Sequence, residues 1–436
     1  MPSQFTDRVA RANSGFDFVA AHFECERNAF SKENPTGYVN LGSAQNHLHA
    51  ERLQSRLANL PIRSDDTHYQ PFEGTEACRR SIASYLSELA STRVGPETLI
   101  VGNGVISVLE ALTVALLDEG DSILVPTPVF PGLVNALSMR VRSRVEYMHS
   151  KPEMGFRITP ATMEAELHRL KFEGKRVRGI LLCSPGNPVG QVFSAKELHD
   201  FADIAEWFDC ALVVDEIYAG SVFEETRFAS AVALRRDHIH VLGGLSKDFG
   251  LAGYATGWLQ SADPAVLKAV AKQSHFFRLP APIQAVITSV LEPTWRSDYL
   301  TARRRSLSNT ERHARERLQD AGIAVSESQA GLCLWLDLRP FLRRLDASAE
   351  LELYRYLLET HRVHVSPGSG FKTQAPGFYR ICFSHEQHIL NEGLDRLLAG
   401  LEAWRSLGNR DQQIKHSQTN QGKPDRSRAL QHADAA

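Results

Sequence analysis

The sequence predicts an α/β fold in which a mostly parallel β-sheet is covered by helices on both faces. Continuous apolar runs alternate with helical patterns between residues 98 and 242, as is typical of strands that are buried on both sides. Turns rich in glycine and proline separate these segments. The chain has 436 residues, of which 43% are hydrophobic, so it has room for this large domain and a second, smaller one.

The composition disfavours nucleic-acid and membrane partners. The formal net charge is −2, without a basic excess. No apolar run approaches the ~18 residues of a membrane-spanning helix, and the N-terminus lacks the apolar core of a signal peptide. The six cysteines are scattered without metal-ligand spacing, which favours a reduced, cytoplasmic protein.

The first hundred residues predict two helices around one extended run. Apolar residues at helical spacing predict helices over 16–30 and 71–89. Between them, the extended run 38–41 ends at Gly42. Gly42 either lets a ligand lie against the backbone or serves as an ordinary turn glycine.

A strand, a glycine turn and a helix come next in the chain. Residues 98–101 predict the strand, 102–104 the turn and 105–117 an amphipathic helix. The unpaired N–H groups at the start of such a helix favour an anion. An ordinary strand–helix turn shows the same pattern, so this segment alone does not decide between them.

Three polar residues follow the ends of predicted strands. Further strands are predicted at 122–125, 141–148, 178–183, 210–214 and 240–242. Asn187, Asp215 and Lys247 each come after one of these strands. Because ligands bind beyond the carboxyl ends of parallel strands, we expect the three side chains to share one site.

These residues match the needs of pyridoxal phosphate. Lys247 alone is either a nucleophilic amine or a surface lysine. Asp215 alone would suit a helix cap, a buried counter-ion or a metal ligand, although only Glu216 accompanies it. Together with Asn187 and an anion-binding helix start, the lysine would bond the cofactor and the aspartate would keep its ring nitrogen protonated.

Eight ordered segments, spread over roughly residues 14–405, carry a resemblance to a known family. They are NPTGYVNLGSAQNHL, VGNGVISVLEAL, PTPVFPGL, SPGNPVG, VVDEIYAG, GLSKDFGLAGYATGW, AGLCLWLDL and FYRICFS. The chain resembles the fold-type I pyridoxal-phosphate enzymes of the class I/II aminotransferase family, and within it the 1-aminocyclopropane-1-carboxylate (ACC) synthase-like branch. The resemblance implies an aspartate aminotransferase-like fold, with a three-layer large domain, a smaller α+β domain and a homodimer whose active sites lie at the interface.

The resemblance assigns five residues to the cofactor ring. Lys247 would bond the cofactor covalently and move a proton during the reaction. Asp215 would pair with the ring nitrogen, and Phe130 would stack on the ring. Asn187 and Tyr218 would hydrogen-bond the ring hydroxyl.

A second group would bind the cofactor phosphate. It comprises the N–H groups of Val105 and Ile106, which follow Gly104, together with Ser246. Tyr69 would reach the phosphate of the neighbouring subunit.

The resemblance also implies contacts with an amino-acid substrate. Arg380 would clamp the α-carboxylate through two parallel hydrogen bonds. Gly42, Gln45 and Asn187 would border the substrate as well. ACC synthases carry a glutamate at the position of Gln45, and a neutral amide offers no negative charge to a sulfonium substrate.

Several side chains that bind phosphate in the family are replaced here. Gly244 stands where a serine is usual, and Ala255 stands where an arginine is usual. Phe72 replaces a tyrosine of the ACC synthase branch, while Arg278 is a candidate substitute cation. A charge-assisted hydrogen bond contributes ~1.5–3 kcal/mol, so loss of the arginine would weaken cofactor retention roughly ten- to a hundred-fold.

Weak phosphate binding favours elimination or replacement chemistry, because a lyase restores the lysine–cofactor bond in every turnover. We therefore predict an ACC synthase-like carbon–sulfur lyase of specialised metabolism. One alternative is an aminotransferase that moves an amino group to a 2-oxo acid. The other is a degenerate protein that binds a ligand without turnover.

Four parts are expected along the chain. They are an N-terminal arm with part of the small domain (1–55), the large cofactor-binding domain (56–295), a linking helix with the rest of the small domain (296–405) and a disordered tail (406–436). The arginine-rich segment 299–321 is expected to be a solvated linking helix.

Overall fold

The computed structural model describes residues 17–421 except 59, 61, 62, 141 and 142. The strands are β1 Val39–Asn40, β2 Leu99–Asn103, β3 Ser122–Thr127, β4 Arg144–His149, β5 Val177–Cys183, β6 Ala211–Asp215, β7 Ile239–Gly243, β8 Thr256–Ser261, β9 Ala324–Val325, β10 Cys333–Asp337, β11 Val363–His364, β12 Ser366–Pro367 and β13 Phe378–Cys382. The helices are α1 Phe18–Arg27, α2 Ala50–Leu57, α3 Glu76–Ala90, α4 Val105–Leu116, α5 Pro131–Ser138, α6 Pro160–Phe172, α7 Ala195–Trp207, α8 Pro264–Gln273, α9 Ala281–Val290, α10 Pro293–Asp320, α11 Ala347–His361 and α12 Gln387–Gln421.

The large sheet confirms the predicted α/β fold. Its seven strands run in the order β2-β8-β7-β6-β5-β3-β4. Strand β8 is antiparallel to β2 and β7, while the other neighbours are parallel. Successive side chains of β6 enter opposite apolar layers, Leu212 on one face and Val213 on the other. Each face is thus buried, as the continuous apolar strands predict.

The register of the sheet sets the level of the site. Cys183 at the end of β5 pairs with Asp215 at the end of β6, and Asp215 pairs with Leu242 of β7. The loops that carry Asn187 and Lys247 therefore leave the same edge of the sheet.

A second apolar core joins the two ends of the chain. It brings Val39 and Leu41 together with Leu334 of β10 and Ile381 of β13. Strand β1 pairs with β11, and a four-stranded sheet has the order β12-β13-β10-β9. This second core positions Arg380, because β13 holds it opposite Trp335 of β10.

The long helix α10 differs from the expected solvated connector. It starts at Pro293, before residue 299, and its Arg296 and Arg303 are each only 1% exposed. Arg296 donates to the carbonyl of Leu291 and pairs with Glu88. Arg303 Nη2 donates to the Lys247 carbonyl oxygen at 2.6 Å. Through this bond α10 braces the loop that carries Lys247, although Nε and Nη1 of Arg303 have no hydrogen-bond partner among the described residues.

The end of the chain departs in part from the expected tail. Helix α12 continues to Gln421, past residue 406, where the disordered segment is predicted to begin. The remainder of that predicted tail, 422–436, lies outside the described residues. Within the described part of the chain, no helix is both long and apolar enough to cross a membrane.

Candidate active site

A cavity of about 550 Å³ opens at the carboxyl edge of the large sheet, between α1, the start of α4 and β13. Of the residues proposed from the sequence, it is lined by Gln45, Gly104, Val105, Ile106, Phe130, Asn187, Asp215, Tyr218, Ser246, Lys247 and Arg380. Gly42 and Tyr69 are outside this lining set. The described residues contain no group of three or more side chains suited to hold a metal ion.

Asp215 is a buried carboxylate with one local hydrogen bond. The side chain accepts the N–H of Ile217 at Oδ1, at 3.1 Å. Burial raises the pKa of the Asp215 carboxyl to about 7, while the Ile217 hydrogen bond and the nearby Lys247 lower it. A cation placed against this carboxylate would offset its desolvation, and a protonated ring nitrogen is such a cation.

Lys247 points into the same cavity. Its Nζ donates to the carbonyl oxygen of Ala44 at 2.7 Å. Burial lowers the pKa of the Lys247 amine, and the Arg380 guanidinium lowers it further, although Asp215 acts in the opposite direction. A lowered pKa increases the neutral fraction, which is the nucleophilic form of the amine.

Asn187 links Tyr218 to Arg380. Its Nδ2 donates to the Tyr218 hydroxyl at 3.4 Å, and its Oδ1 accepts from Arg380 Nη1 at 3.0 Å. Burial raises the pKa of the Tyr218 hydroxyl well above its ordinary value. Tyr218 therefore stays protonated near neutral pH and is able to donate a hydrogen bond.

Arg380 is a buried cation that faces the cavity. It is 1% exposed, and its Nε has no hydrogen-bond partner among the described residues. Its guanidinium carbon lies 4.7 Å from the centre of the Phe371 ring and 5.8 Å from that of Phe18. A buried guanidinium without a carboxylate is unfavourable, and a substrate carboxylate fits this position.

Gly42 positions Arg380 through its backbone. Its carbonyl oxygen accepts from Arg380 Nη2 and from the Ser366 hydroxyl. A Cβ at residue 42 would lie 2.3 Å from Nε2 of His364. The glycine is therefore required by the close imidazole ring, and this explains its presence without a substrate contact.

The start of α4 forms an anion cradle made of backbone. Gly104 precedes the helix with φ of 85°, and no side chain caps the N-terminal N–H groups. A Cβ at Gly244 would lie 2.4 Å from the Thr256 carbonyl oxygen, so the local backbone excludes a serine there. Among the lining residues, Lys247 and Arg380 are the cations, and Arg380 is committed to Asn187 and Gly42.

Tyr69 and Arg278 form a cluster outside this cavity. Tyr69 is 85% exposed. The Arg278 guanidinium carbon lies 5.4 Å from the Tyr69 ring centre and 5.2 Å from that of Phe72. Within one chain, Arg278 is absent from the residues that line the cradle.

The comparison with protein families decides the class. A family model for aminotransferase class I and II matches residues 36–397. The chain belongs to the class I and II aminotransferase family. This confirms the resemblance seen in the sequence.

Curated relatives place this family member beside ACC synthases. 1-Aminocyclopropane-1-carboxylate synthase 8 of Arabidopsis thaliana is 30% identical over 400 residues, covering 86% of this chain and 85% of the relative. The synthase of Malus domestica is 27% identical over 426 residues, covering 90% of each chain. The enzyme is thus an ACC synthase-like, pyridoxal-phosphate-dependent member of the family.

Solved structures confirm the fold of this family member. Pyrococcus protein-A1 superimposes with a TM-score of 0.79 at 20% identity, covering 92% of this chain and 99% of that one. Aspartate aminotransferase from Thermus thermophilus with maleate gives 0.72 at 22% identity, covering 92% and 97%.

The residues of this aminotransferase-family enzyme fit pyridoxal phosphate. Asp215 suits the ring nitrogen, and Lys247 suits the covalent bond. Asn187 and Tyr218 offer hydrogen bonds to a ring hydroxyl, and Phe130 offers an aromatic face. The start of α4 suits the phosphate.

The sequence motifs missed one wall of the site. Phe18, Val19, His22 and Phe23 of α1 line the cavity, and His22 Nδ1 lies 2.9 Å from the Ser43 hydroxyl. Their spacing along the predicted helix would have shown a common face. The sequence held no signal for which element that face meets.

Proposed function

We propose that the enzyme is a lyase that eliminates a sulfur-containing group from an S-substituted amino acid. The observation that carries the proposal is the phosphate cradle, where Gly244 and Ala255 leave helix N–H groups and Ser246 without a dedicated cation. An aminotransferase leaves its cofactor unattached to the lysine for half of each cycle. A lyase restores the covalent bond to Lys247 at the end of every turnover and depends less on the cradle.

Residues suited to substrate binding and to removal of the Cα proton line the cavity. Arg380 binds the substrate carboxylate, which orients the Cα hydrogen toward the lysine. Lys247 Nζ takes the proton from Cα. Pyridoxal phosphate, when bound, would supply the electron sink for the resulting negative charge. The electron pair then forms the Cα–Cβ double bond as the Cβ–S bond breaks, and the sulfur group leaves as a thiolate. Water hydrolyses the released 2-aminoacrylate to pyruvate and ammonia. Asp215 keeps the ring nitrogen protonated, and the Tyr218 hydroxyl donates toward the ring from its bond with Asn187.

The lining of the cavity disfavours the chemistry that the relatives' names describe. Asp215 is the sole acidic residue among the described lining side chains, and it is buried at the sheet edge. Gln45 offers an amide at the cavity wall. A sulfonium substrate would therefore lack a counter-charge in this chain.

A product assay separates a lyase from an aminotransferase. The holoenzyme is incubated with S-substituted cysteines, and separately with amino acids plus 2-oxoglutarate. Pyruvate and ammonia without glutamate support the lyase, whereas stoichiometric glutamate would overturn it in favour of the aminotransferase. The Lys247→Ala variant serves as the control in both arms and should form neither product.

A homodimer would bring Tyr69 to a neighbouring site. Tyr69 is 85% exposed and Phe276 is 86% exposed, which is unusual for large aromatic side chains. The segment that carries Phe276 is bound to the end of β2, two residues before α4, because Asn103 N donates to the Phe277 carbonyl at 2.7 Å. An interface here would cover these rings beside the phosphate cradle.

A reducing compartment suits the cysteines of the enzyme. All six are free thiols, and five of them are buried. Disulfides are rare in the cytosol, and the proposed location is therefore the cytoplasm.

A further inference from the structure

We infer that the cavity selects amino acids whose side chain is uncharged and apolar. This inference rests on the proposed function only in taking an amino acid as the substrate. It concerns the wall that receives the substrate side chain, and it holds for elimination and for amino-group transfer alike.

The two ends of the substrate are fixed by residues already assigned. Arg380 takes the α-carboxylate, and Lys247 must face Cα. Phe18 of α1 lies beside Arg380, since its ring centre is 5.8 Å from the Arg380 guanidinium carbon. His22 of α1 lies near Lys247. Its Nδ1 hydrogen-bonds the Ser43 hydroxyl, and the carbonyl oxygen of the next residue, Ala44, accepts a hydrogen bond from Lys247 Nζ. The face of α1 therefore spans the reacting part of the cavity.

That face is apolar and open to the cavity. Val19 is 64% exposed and Phe23 is 56% exposed, and both line the cavity with Phe18. The Phe18 ring packs edge-on to Phe130, with ring centres 6.3 Å apart. Ile106, which is 41% exposed, adds to the apolar lining. Exposed apolar groups at one cavity favour an apolar ligand over water.

The charged side chains that line the cavity already have proposed roles in binding the cofactor or the α-carboxylate. Its charged lining residues, among those described, are Asp215, Lys247 and Arg380. None remains to pair a second carboxylate, and none remains to pair a sulfonium or ammonium group. A charged side chain would therefore be desolvated without a partner. The polar groups left beside α1, His22 and Gln45, suit a neutral sulfur or hydroxyl group at most.

Binding of unreactive carboxylates tests the inference without any turnover. The probes are 3-phenylpropionate, which carries one carboxylate and an apolar ring, and glutarate, which carries two carboxylates. Calorimetric titration of the holoenzyme should give at least a tenfold lower Kd for 3-phenylpropionate. Equal affinities, or tighter binding of glutarate, would overturn the inference.

A matched pair of variants locates the preference on α1. Val19→Arg places a cation in the cavity. It should strengthen glutarate binding and so reduce or reverse the tenfold difference in Kd between the two probes. Ala20→Arg puts the same charge on the next exposed residue, which does not line the cavity, and should leave the ratio unchanged. An unchanged ratio in Val19→Arg, or an equal change in both variants, would contradict the role of this face.

A reaction arm separates this inference from the proposed function. S-Benzylcysteine and S-carboxymethylcysteine differ in the charge of the sulfur substituent. If the lyase proposal holds, kcat/KM for pyruvate formation should be at least tenfold higher with the benzyl compound. Absence of pyruvate with both compounds would overturn the lyase proposal. The titrations with 3-phenylpropionate and glutarate would still test the side-chain preference. A preference for the carboxymethyl compound would overturn the inference alone.

Discussion

At the scale of the residue, the Asp215 carboxylate suits the cofactor ring but destabilises the folded, cofactor-free protein. The buried carboxyl has a pKa of about 7 instead of its ordinary 3.8. The unfolded chain therefore loses this proton at lower pH than the folded chain. Folding is penalised increasingly as pH rises from about 4 to about 7, and the full penalty is present above that range. A bound ring nitrogen that stays protonated would remove this penalty.

The variant Asp215→Asn tests this balance. In the cofactor-free protein at pH 8, the amide removes a buried charge, so unfolding should become harder by about 2–4 kcal/mol. At pH 4 the carboxyl is protonated in the folded state, and the difference should nearly vanish. Thermal unfolding at both pH values gives the result. Activity of the loaded variant should fall sharply. A stabilisation by Asp215→Asn that is larger at pH 4 than at pH 8 would contradict the explanation.

Arg380 combines charge with a planar donor geometry. The variant Arg380→Lys keeps the charge but loses the fork that bonds Asn187, Gly42 and a carboxylate together. We expect a tenfold or greater rise in KM for the amino acid, equivalent to about 1.4 kcal/mol or more. Cofactor affinity should change little. Equilibrium dialysis with the cofactor provides that control, and unchanged KM would exclude Arg380 as the carboxylate ligand.

At the scale of the element, the start of α4 offers an anion only its uncapped backbone N–H groups. Ala255 lines the cavity beside it, and its φ of 46° is already left-handed. The variant Ala255→Arg should therefore add a cation at modest strain. Gly244→Ser is a poorer repair, because the Thr256 carbonyl blocks the new Cβ.

Cofactor release measures the effect of Ala255→Arg. In a Lys247→Ala background the cofactor is held only by noncovalent contacts. The added arginine should lower its Kd roughly ten- to a hundred-fold. The control Tyr254→Arg carries the same charge at the neighbouring residue, outside the cavity, and should have a much smaller effect. Equal tightening in both variants would show long-range attraction instead of a contact in the cradle.

The same element scale shows what local sequence predicts well. The strand ends before Asn187, Asp215 and Lys247 were predictable within a few residues, since continuous apolar strands and their polar ends are local features. The burial of Arg303 was not predictable, because an arginine-rich helix looks solvated unless its hydrogen-bond acceptors are known. The carbonyl of Lys247 that accepts from it lies far away in the chain.

The wall formed by α1 was unpredictable for a related reason. Its amphipathic spacing is visible in the sequence, but the cavity it closes exists only after the two ends of the chain share one core. Gly42 is similar, because only the folded chain shows that the His364 ring occupies the space of a side chain. Long-range packing thus decides the parts of the site that motifs do not carry.

At the scale of the whole molecule, the site of one subunit is expected to be completed by another. Asp215 and Lys247 line one cavity of a single chain. Tyr69 is exposed and does not line that cavity, and the Arg278 guanidinium lies over its ring. A symmetric dimer that places each Tyr69 at the other subunit's cradle would contain two composite sites. Such a dimer would be open to a test by exchange of subunits.

Mixed dimers give that test. Chains with Lys247→Ala and chains with Tyr69→Ala are each expected to be poorly active at a limiting cofactor concentration. After subunit exchange, one site of each mixed dimer regains an intact Lys247 and an intact Tyr69, so activity should recover. Mixing Lys247→Ala with Asp215→Ala should not restore activity, because those residues belong to the same cavity. If exchange occurs by native mass spectrometry and the first mixture stays inactive, Tyr69 does not serve its neighbour.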